Sequence, residues 1–268
     1  MSGTDQQPRG QAAPGIAVVI PAMNEEERIA GTVRACKGIP GVDLIVVVDD
    51  GSTDRTQKVA RDAGAATVRH TVNRGKASAM ETGANVVAMR DAEGAPRRLL
   101  LFLDADLGES AIETAVLTEP VLQGRADCSI AALPKQEGAG GHGFVLNLSR
   151  RAIARATGWR PTAPLSGQRC ITRDAFEAAK PLAAGWGVET AMTVAVLVAG
   201  YATIEVPCDL RHRVSKNDWA GQWHRFKQYL GVLRAVIGLG LQRQRLSRTH
   251  FAAAAAAQRP YEPYRART

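Results

Sequence analysis

The sequence predicts an α/β fold, a doubly wound and mostly parallel sheet flanked by helices. Two observations carry the prediction. Three short apolar runs, "IAVVI" (Ile16–Ile20), "LIVVV" (Leu44–Val48) and "LLLFL" (Leu99–Leu103), are continuous rather than alternating. That is the pattern of strands buried on both faces of a parallel sheet. Segments of helical period separate them at Glu25–Lys37, Asp54–Ala63 and Lys76–Met89. Strand and helix alternating over short connections is the signature of a doubly wound sheet.

Taken in order, the first strand runs into "PAMNEEE" and the first helix. The second runs into "DDGSTD", where "STDRT" supplies a capping-type start to the second helix. The third ends on "DADLGES". A further strand is expected at Ala126–Leu133, followed by a Gly-rich loop, "PKQEGAGGHG" (Pro134–Gly143). Beyond it come a helix near Phe144–Thr157, the loop "GWRPTAPLSGQR", and a short strand with a helix. A helix at Val188–Ala199 and a strand "ATIEVP" complete the pattern. The expected organisation is a leader at 1–14 and one domain at 15–246, with a flexible tail at 247–268. Within the domain, 15–133 form a nucleotide-binding half and 134–246 an acceptor half.

The 268 residues are 45% apolar and 22% charged, ordinary for a soluble globular chain. Four scattered cysteines (Cys36, Cys128, Cys170, Cys208) have no C-x-x-C spacing, which argues against a zinc site or a disulfide framework. The first residues lack the apolar core of a secretory signal, and no run reaches the length of a membrane span. A cytoplasmic protein is expected, or one peripheral at the inner face of a membrane. The net charge of +8 is uneven. Residues 211–268 hold 12 Lys/Arg against 2 Asp/Glu, so the first 210 residues are slightly acidic. This argues against a nucleic-acid binder and for a basic segment facing something anionic.

In an open parallel sheet, ligands bind beyond the carboxyl ends of the strands. Three acidic strand ends on one rim therefore mark a crevice. Two close carboxylates need a cation between them, or one takes up a proton. A hard divalent ion, Mg²⁺ or Mn²⁺, suits such a pair, with substrate phosphates filling its other positions. The plainer alternative is that Asp104 caps the next helix and Asp106 faces solvent.

"VVIPAMNEEERI", "VVDDGSTDRT", "NRGKASAMETG" and "LFLDADL" resemble, in order, the motifs of GT-A fold nucleotide-sugar glycosyltransferases of family 2. Dolichyl-phosphate sugar synthases and glucosyl-3-phosphoglycerate synthases are among that family's members. The resemblance is strong over Ile16–Leu133 and patchier to Gln228. It implies that Pro21, Ala22, Asn24 and Glu25 lie along the nucleoside, with Glu25 on the ribose. It implies that Asp50 meets the base edge beside Ser52, where the turn at Gly51 admits a flat base. Arg74, Gly75 and Lys76 match a segment near the diphosphate, although Lys76 also reads as a solvated helix-start residue. Asp106 is implied as metal ligand, and Asp104 as a partner of ribose or sugar hydroxyls.

Further on, Gly167, Gln168 and Arg169 resemble an acceptor-side loop. Glu189 resembles the acid near the sugar, as catalytic base or holder of hydroxyls; it also reads as a glutamate favoured by a helix N-terminus. His212 matches a late histidine that completes the metal site, and Arg213 and Lys216 would meet the diphosphate or an anionic acceptor. The segment is shorter than its dolichyl-type counterpart, and no phosphoglycerate signature stands in the chain. The donor implied is a UDP- or GDP-sugar. The acceptor is a hydroxyl or an anion, polyprenyl phosphate or a small phosphorylated acid. Rival readings are open to the same residues, although a dinucleotide oxidoreductase fails for want of a G-x-G-x-x-G loop. A sugar-phosphate nucleotidylyltransferase needs a Gly-rich loop after the first strand that "PAMNEEE" lacks, and a silent nucleotide-sugar-binding module would keep the fold without turnover.

Finally, Trp219, Trp223, Phe226, Leu230, Leu233 and Ile237 recur at helical spacing, flanked by Arg225, Lys227 and Arg234. This basic amphipathic helix would pack on the sheet or a second subunit of a homodimer, or lie on an anionic bilayer.

Overall fold

The computed structural model describes residues 13–132, 143–210 and 238. The leader up to residue 12, the Gly-rich loop up to 142 and, apart from Gly238, everything from 211 lie outside the described residues. Those include His212, Arg213, Lys216, the amphipathic stripe and the tail.

A seven-stranded sheet forms in the order β3-β2-β1-β4-β6-β5-β7. Its strands are β1 (Ile16–Ala22), β2 (Val42–Asp49), β3 (Ala66–Arg69), β4 (Leu99–Phe102), β5 (Cys128–Ala132), β6 (Arg169–Ile171) and β7 (Thr203–Pro207). β1 pairs in parallel with β2 and β4, and β2 with β3. β6 runs antiparallel between β4 and β5, and β5 pairs in parallel with β7. The sheet is therefore mostly parallel with one reversed strand.

Both faces are covered, as the continuous apolar runs require. Ala17, Val19, Val46, Val48, Leu100 and Phe102 point to one side. There they meet α3 (Lys76–Ala88), α5 (Gly143–Thr157), α6 (Arg173–Ala178) and α7 (Val188–Val198). Ile16, Val18, Ile20, Val47, Leu99 and Leu101 point to the other. They meet α1 (Ile29–Cys36), α2 (Thr56–Asp62), a 3₁₀ helix at Gly108–Leu117 and α4 (Thr118–Leu122). Successive strand residues alternate between two cores, so both faces of the central strands are largely apolar.

Three local features differ from or add to the sequence-based expectation. The first helix begins at Ile29 rather than Glu25: residues 26–28 form a turn closed by the Arg28 and Ile29 N–H groups on the Glu25 carbonyl, at 3.1 and 3.0 Å, while the Glu25 and Glu26 N–H groups tie the loop to Thr56 and Asp54. The edge strand β3 was not anticipated; four residues with none buried leave little hydrophobic signal. The long 3₁₀ helix after β4 was not anticipated either. Among the described residues, no helix is long and apolar enough to cross a membrane.

Candidate functional site at the carboxyl edge of the sheet

The loops after β1 and β2 are laced together by short polar side chains. Ser52 Oγ accepts from the Asn24 N–H at 2.9 Å, and Asn24 Oδ1 accepts from the Thr53 N–H at 2.8 Å. Asn24 adopts φ +55°, a conformation that asparagine tolerates better than most residues. Thr56 Oγ1 takes the Glu25 N–H at 2.8 Å, and Asp54 takes the Glu26 N–H at 3.2 Å. Burial would raise the Asp54 carboxyl, but hydrogen bonds from Thr56 and from the Glu26 N–H outweigh it and hold the group below its ordinary value. Pro21 and Ala22 belong to β1 itself, paired with Val48 and Asp49.

Asp50 is buried and organises the next turn. Its Oδ1 accepts from the Arg74 N–H at 2.9 Å, and its Oδ2 from the Gly75 N–H at 2.7 Å. His70 Nδ1 lies 2.6 Å from Oδ1, and His70 Nε2 lies 2.9 Å from Thr82 Oγ1 on α3. The residue expected to face a base edge is thus the clamp of the turn that launches α3. The close approach expected at Gly51 is likewise made by the chain: at φ +81°, a Cβ there would stand 2.7 Å from the Asn73 nitrogen. Neither His70 nor Thr82 was signalled by the sequence, since their partners are remote in the chain.

That turn delivers Lys76 to the first residue of α3, where the helix dipole disfavours a cation. Two carboxylates reverse the balance. Lys76 Nζ is 2.7 Å from Asp104 Oδ1 and 3.0 Å from Glu189 Oε1. Burial pulls the ammonium down, but Asp104 and then Glu189 more than offset it, and its pKa is raised above the usual lysine value. Asp104 stands two residues past β4, and Gln168 Nε2 donates to its other oxygen at 2.6 Å. Glu189, in the first turn of α7, is only 8% exposed. Gly167 lets the loop come this close: a Cβ there would sit 2.6 Å from Lys76 Nζ and 3.0 Å from Asp104 Oδ1. Lys76, Asp104, Gly167, Gln168 and Glu189, expected separately, converge from four elements.

Asp106 lies two residues beyond Asp104, half-buried, and takes no hydrogen bond or ion pair from any described residue. Thr32, buried on α1, braces this loop by donating to the Ala105 carbonyl and accepting from the Gly108 N–H, each at 2.8 Å. Among the described residues no three His, Cys, Asp or Glu side chains form a metal-binding group. The chemistry of Asp106 still fits a hard cation, which one or two carboxylates hold while substrate phosphates complete the shell.

Arg169 is a correction. Expected to face an acceptor or diphosphate, it is fully buried. Its Nη1 donates to Thr193 on α7 at 2.7 Å, and its Nε donates to the Ser166 carbonyl at 2.9 Å. Burial pushes its guanidinium below the ordinary arginine value, Cys128 and Glu189 partly offsetting it. It fixes the backbone of the loop whose next residues reach the crevice.

A family model described as Glycosyl transferase family 2 matches residues 17–177. Glucosyl-3-phosphoglycerate synthase of Mycolicibacterium smegmatis is 30% identical over 198 residues, covering 67% of this chain and 63% of that one. Undecaprenyl-phosphate 4-deoxy-4-formamido-L-arabinose transferase of Edwardsiella ictaluri is 34% identical over 119 residues, 41% of this chain and 34% of the relative. The chain spans between 46% and 65% of the length of the first curated relatives it matches. A crystal structure of glucosyl-3-phosphoglycerate synthase from Mycobacterium tuberculosis, in complex with Mn²⁺, UDP-glucose and phosphoglyceric acid, superposes with a TM-score of 0.62. The match has 24% identity and covers 87% of this chain and 86% of that one, a likeness of fold.

Proposed function

The chain belongs to glycosyl transferase family 2, and from that premise we propose that it transfers a sugar from a nucleotide-diphosphate sugar to a phosphate-bearing acceptor with the aid of a divalent cation. The observation that carries the proposal is the cluster of Lys76, Asp104, Gln168 and Glu189 at the tip of β4, with Asp106 two residues along. A phosphate-bearing acceptor is the class supported by the relatives, one a glucosyl-3-phosphoglycerate synthase and another an undecaprenyl-phosphate transferase. Mn²⁺ or Mg²⁺ accompanies UDP in crystals of the structural neighbours.

Breaking the bond between sugar and diphosphate puts negative charge on the leaving group. Lys76 supplies a fixed cation beside that position, held in place by Asp104 and Glu189. When a metal is bound, Asp106 would hold it, and the metal acts as a Lewis acid toward the departing diphosphate. Asp104 and Gln168 present an oriented acceptor and donor to ribose or sugar hydroxyls. Glu189 accepts the proton of a hydroxyl nucleophile; with a phosphate oxygen as nucleophile, no base is needed and Glu189 serves to position the sugar.

The test is release of nucleoside diphosphate from a panel of UDP- and GDP-sugars by purified protein with Mn²⁺, against Asp106→Ala. Turnover that falls by about 10²-fold or more on substitution supports the proposal. Turnover unchanged by the substitution defeats it. Donor binding without any release would make the chain a silent nucleotide-sugar-binding module.

A further inference from the structure

On the solvent side of α5 lies a cavity of about 460 Å³ lined by Asn147, Arg150, Arg151, Ala154, Arg155 and Arg160. Four of its six lining residues are arginines and none is acidic. The helix period separates this face from the core: Val145, Ser149, Ile153 and Ala156 are the buried positions, and Ser149 bonds Thr190 of α7 at 2.6 Å. The arginine face therefore looks away from Glu189, with the thickness of α5 between them.

One wall of the cavity is held in place by hydrogen bonds. Arg150 Nε donates to the Pro161 carbonyl at 2.8 Å, and its Nη2 donates to the Thr162 carbonyl at 3.2 Å. Glu205 of β7 takes the Thr162 N–H at 2.8 Å and the Ala163 N–H at 2.6 Å, which secures the same loop from its other side. These bonds turn the chain after α5 back along the helix and bring Arg160 to the cavity wall. Glu205 engages both oxygens on that backbone. Among the described residues, Arg151, Arg155 and Arg160 have no carboxylate partner. Four guanidiniums around one hollow repel one another unless an anion enters, and their planar forks match phosphoryl oxygens.

We propose that this cavity binds a phosphate-bearing anion at a site separate from the donor crevice. Its volume admits more than a single phosphate group, so a soluble phosphoester or the headgroup of an anionic lipid fits it. The proposal does not depend on the transferase reading, because it concerns binding without donor or metal.

The probe is sodium pyrophosphate, titrated calorimetrically at low salt with EDTA present. The variant is R151A/R155A, whose side chains are exposed, with R160A alone as a second variant and K76M as the crevice control. The expected result is binding that R151A/R155A weakens by about tenfold or more, the scale of one lost charge-assisted hydrogen bond, and that added salt screens. K76M should leave it unchanged. In a second arm, flotation compares phosphatidylglycerol-containing vesicles with pure phosphatidylcholine vesicles. Loss of pyrophosphate binding in R151A/R155A supports a soluble ligand. Pyrophosphate inert but vesicle binding reduced tenfold in the same variant supports a lipid headgroup. Equal behaviour of wild type and R151A/R155A in both arms, or pyrophosphate binding abolished by K76M alone, overturns the proposal.

Discussion

Replacing Lys76 by methionine keeps the length of the side chain and removes its charge, leaving Asp104 and Glu189 facing each other across the vacated position. The ammonium makes two charge-assisted contacts, at 2.7 and 3.0 Å. Such bonds contribute roughly 1.5–3 kcal/mol each when well formed. Lys76 and Asp104 are each about a third exposed, so solvent screens their pair toward the lower figure. Glu189 is nearly buried, and stranding it carries more of the cost. The sum expected for Lys76→Met is about 3 kcal/mol of stability, the low end for breaking a buried pair. Removing the excess negative charge should recover part of it: in Lys76→Met/Glu189→Gln the two losses are non-additive, with a coupling of about 1–2 kcal/mol. Urea unfolding of the four proteins gives these values from midpoint and slope. Diphosphate release should fall by about 10²–10³-fold in Lys76→Met, as for loss of one preorganised group beside developing charge. Strictly additive losses, or a Lys76→Met protein within about 0.5 kcal/mol of wild type, would refute the reasoning.

Gly167→Ala places a methyl 2.6 Å from the end of a flexible lysine, so the fold survives while the Lys76–Asp104 contact is forced apart. The melting temperature should move by only about 2–4 °C, while donor turnover falls about tenfold or more. His70→Phe removes a partner from Asp50 and strands Thr82. Loss of about 2 kcal/mol in urea unfolding and a raised donor KM are expected, with His70→Gln recovering part of both. The four buried thiols should be unreactive toward a disulfide reagent near pH 8 and all react in denaturant. Burial pushes Cys36 up to about 12 and Cys128 and Cys208 up to about 11. The unfolded chain therefore releases these protons first, and their contribution to stability, full below pH 9, declines as pH rises toward 11–12.

How far the site could be read from the sequence follows from the range of the forces. The three short apolar runs announce β1, β2 and β4 because burial on both faces is written into consecutive residues, and the acidic ends of those strands mark the rim. The joining of Lys76 to Asp104 and of Gln168 to Asp104 spans 28 and 64 positions and is set by tertiary approach, which no local pattern encodes. Arg169 misled for a related reason. An arginine is ordinarily exposed, and only its place in the brief "RCI" strand hinted that it would be enclosed. The polar cluster "STD" was legible as a helix start, and Asp54 does bond Thr56 there at 2.9 Å. Its second duty, gripping the Glu26 N–H in another loop, was not legible.

The one backward-running strand has a consequence for how the crevice is assembled. β6 enters the sheet beside the exit of β4, with Arg169 opposite Phe102 on one neighbour and Ile130 on the other. The residues that precede it are thereby carried to the very edge where β4 lets go. Sliding this three-residue seam by a single step would reverse its sides, carrying the guanidinium into the opposite core, away from Thr193, and swinging the amide of Gln168 off Asp104. Reactive geometry here is a matter of main-chain alignment, and it is complete only once chain made long after the first hundred residues has been threaded back through them.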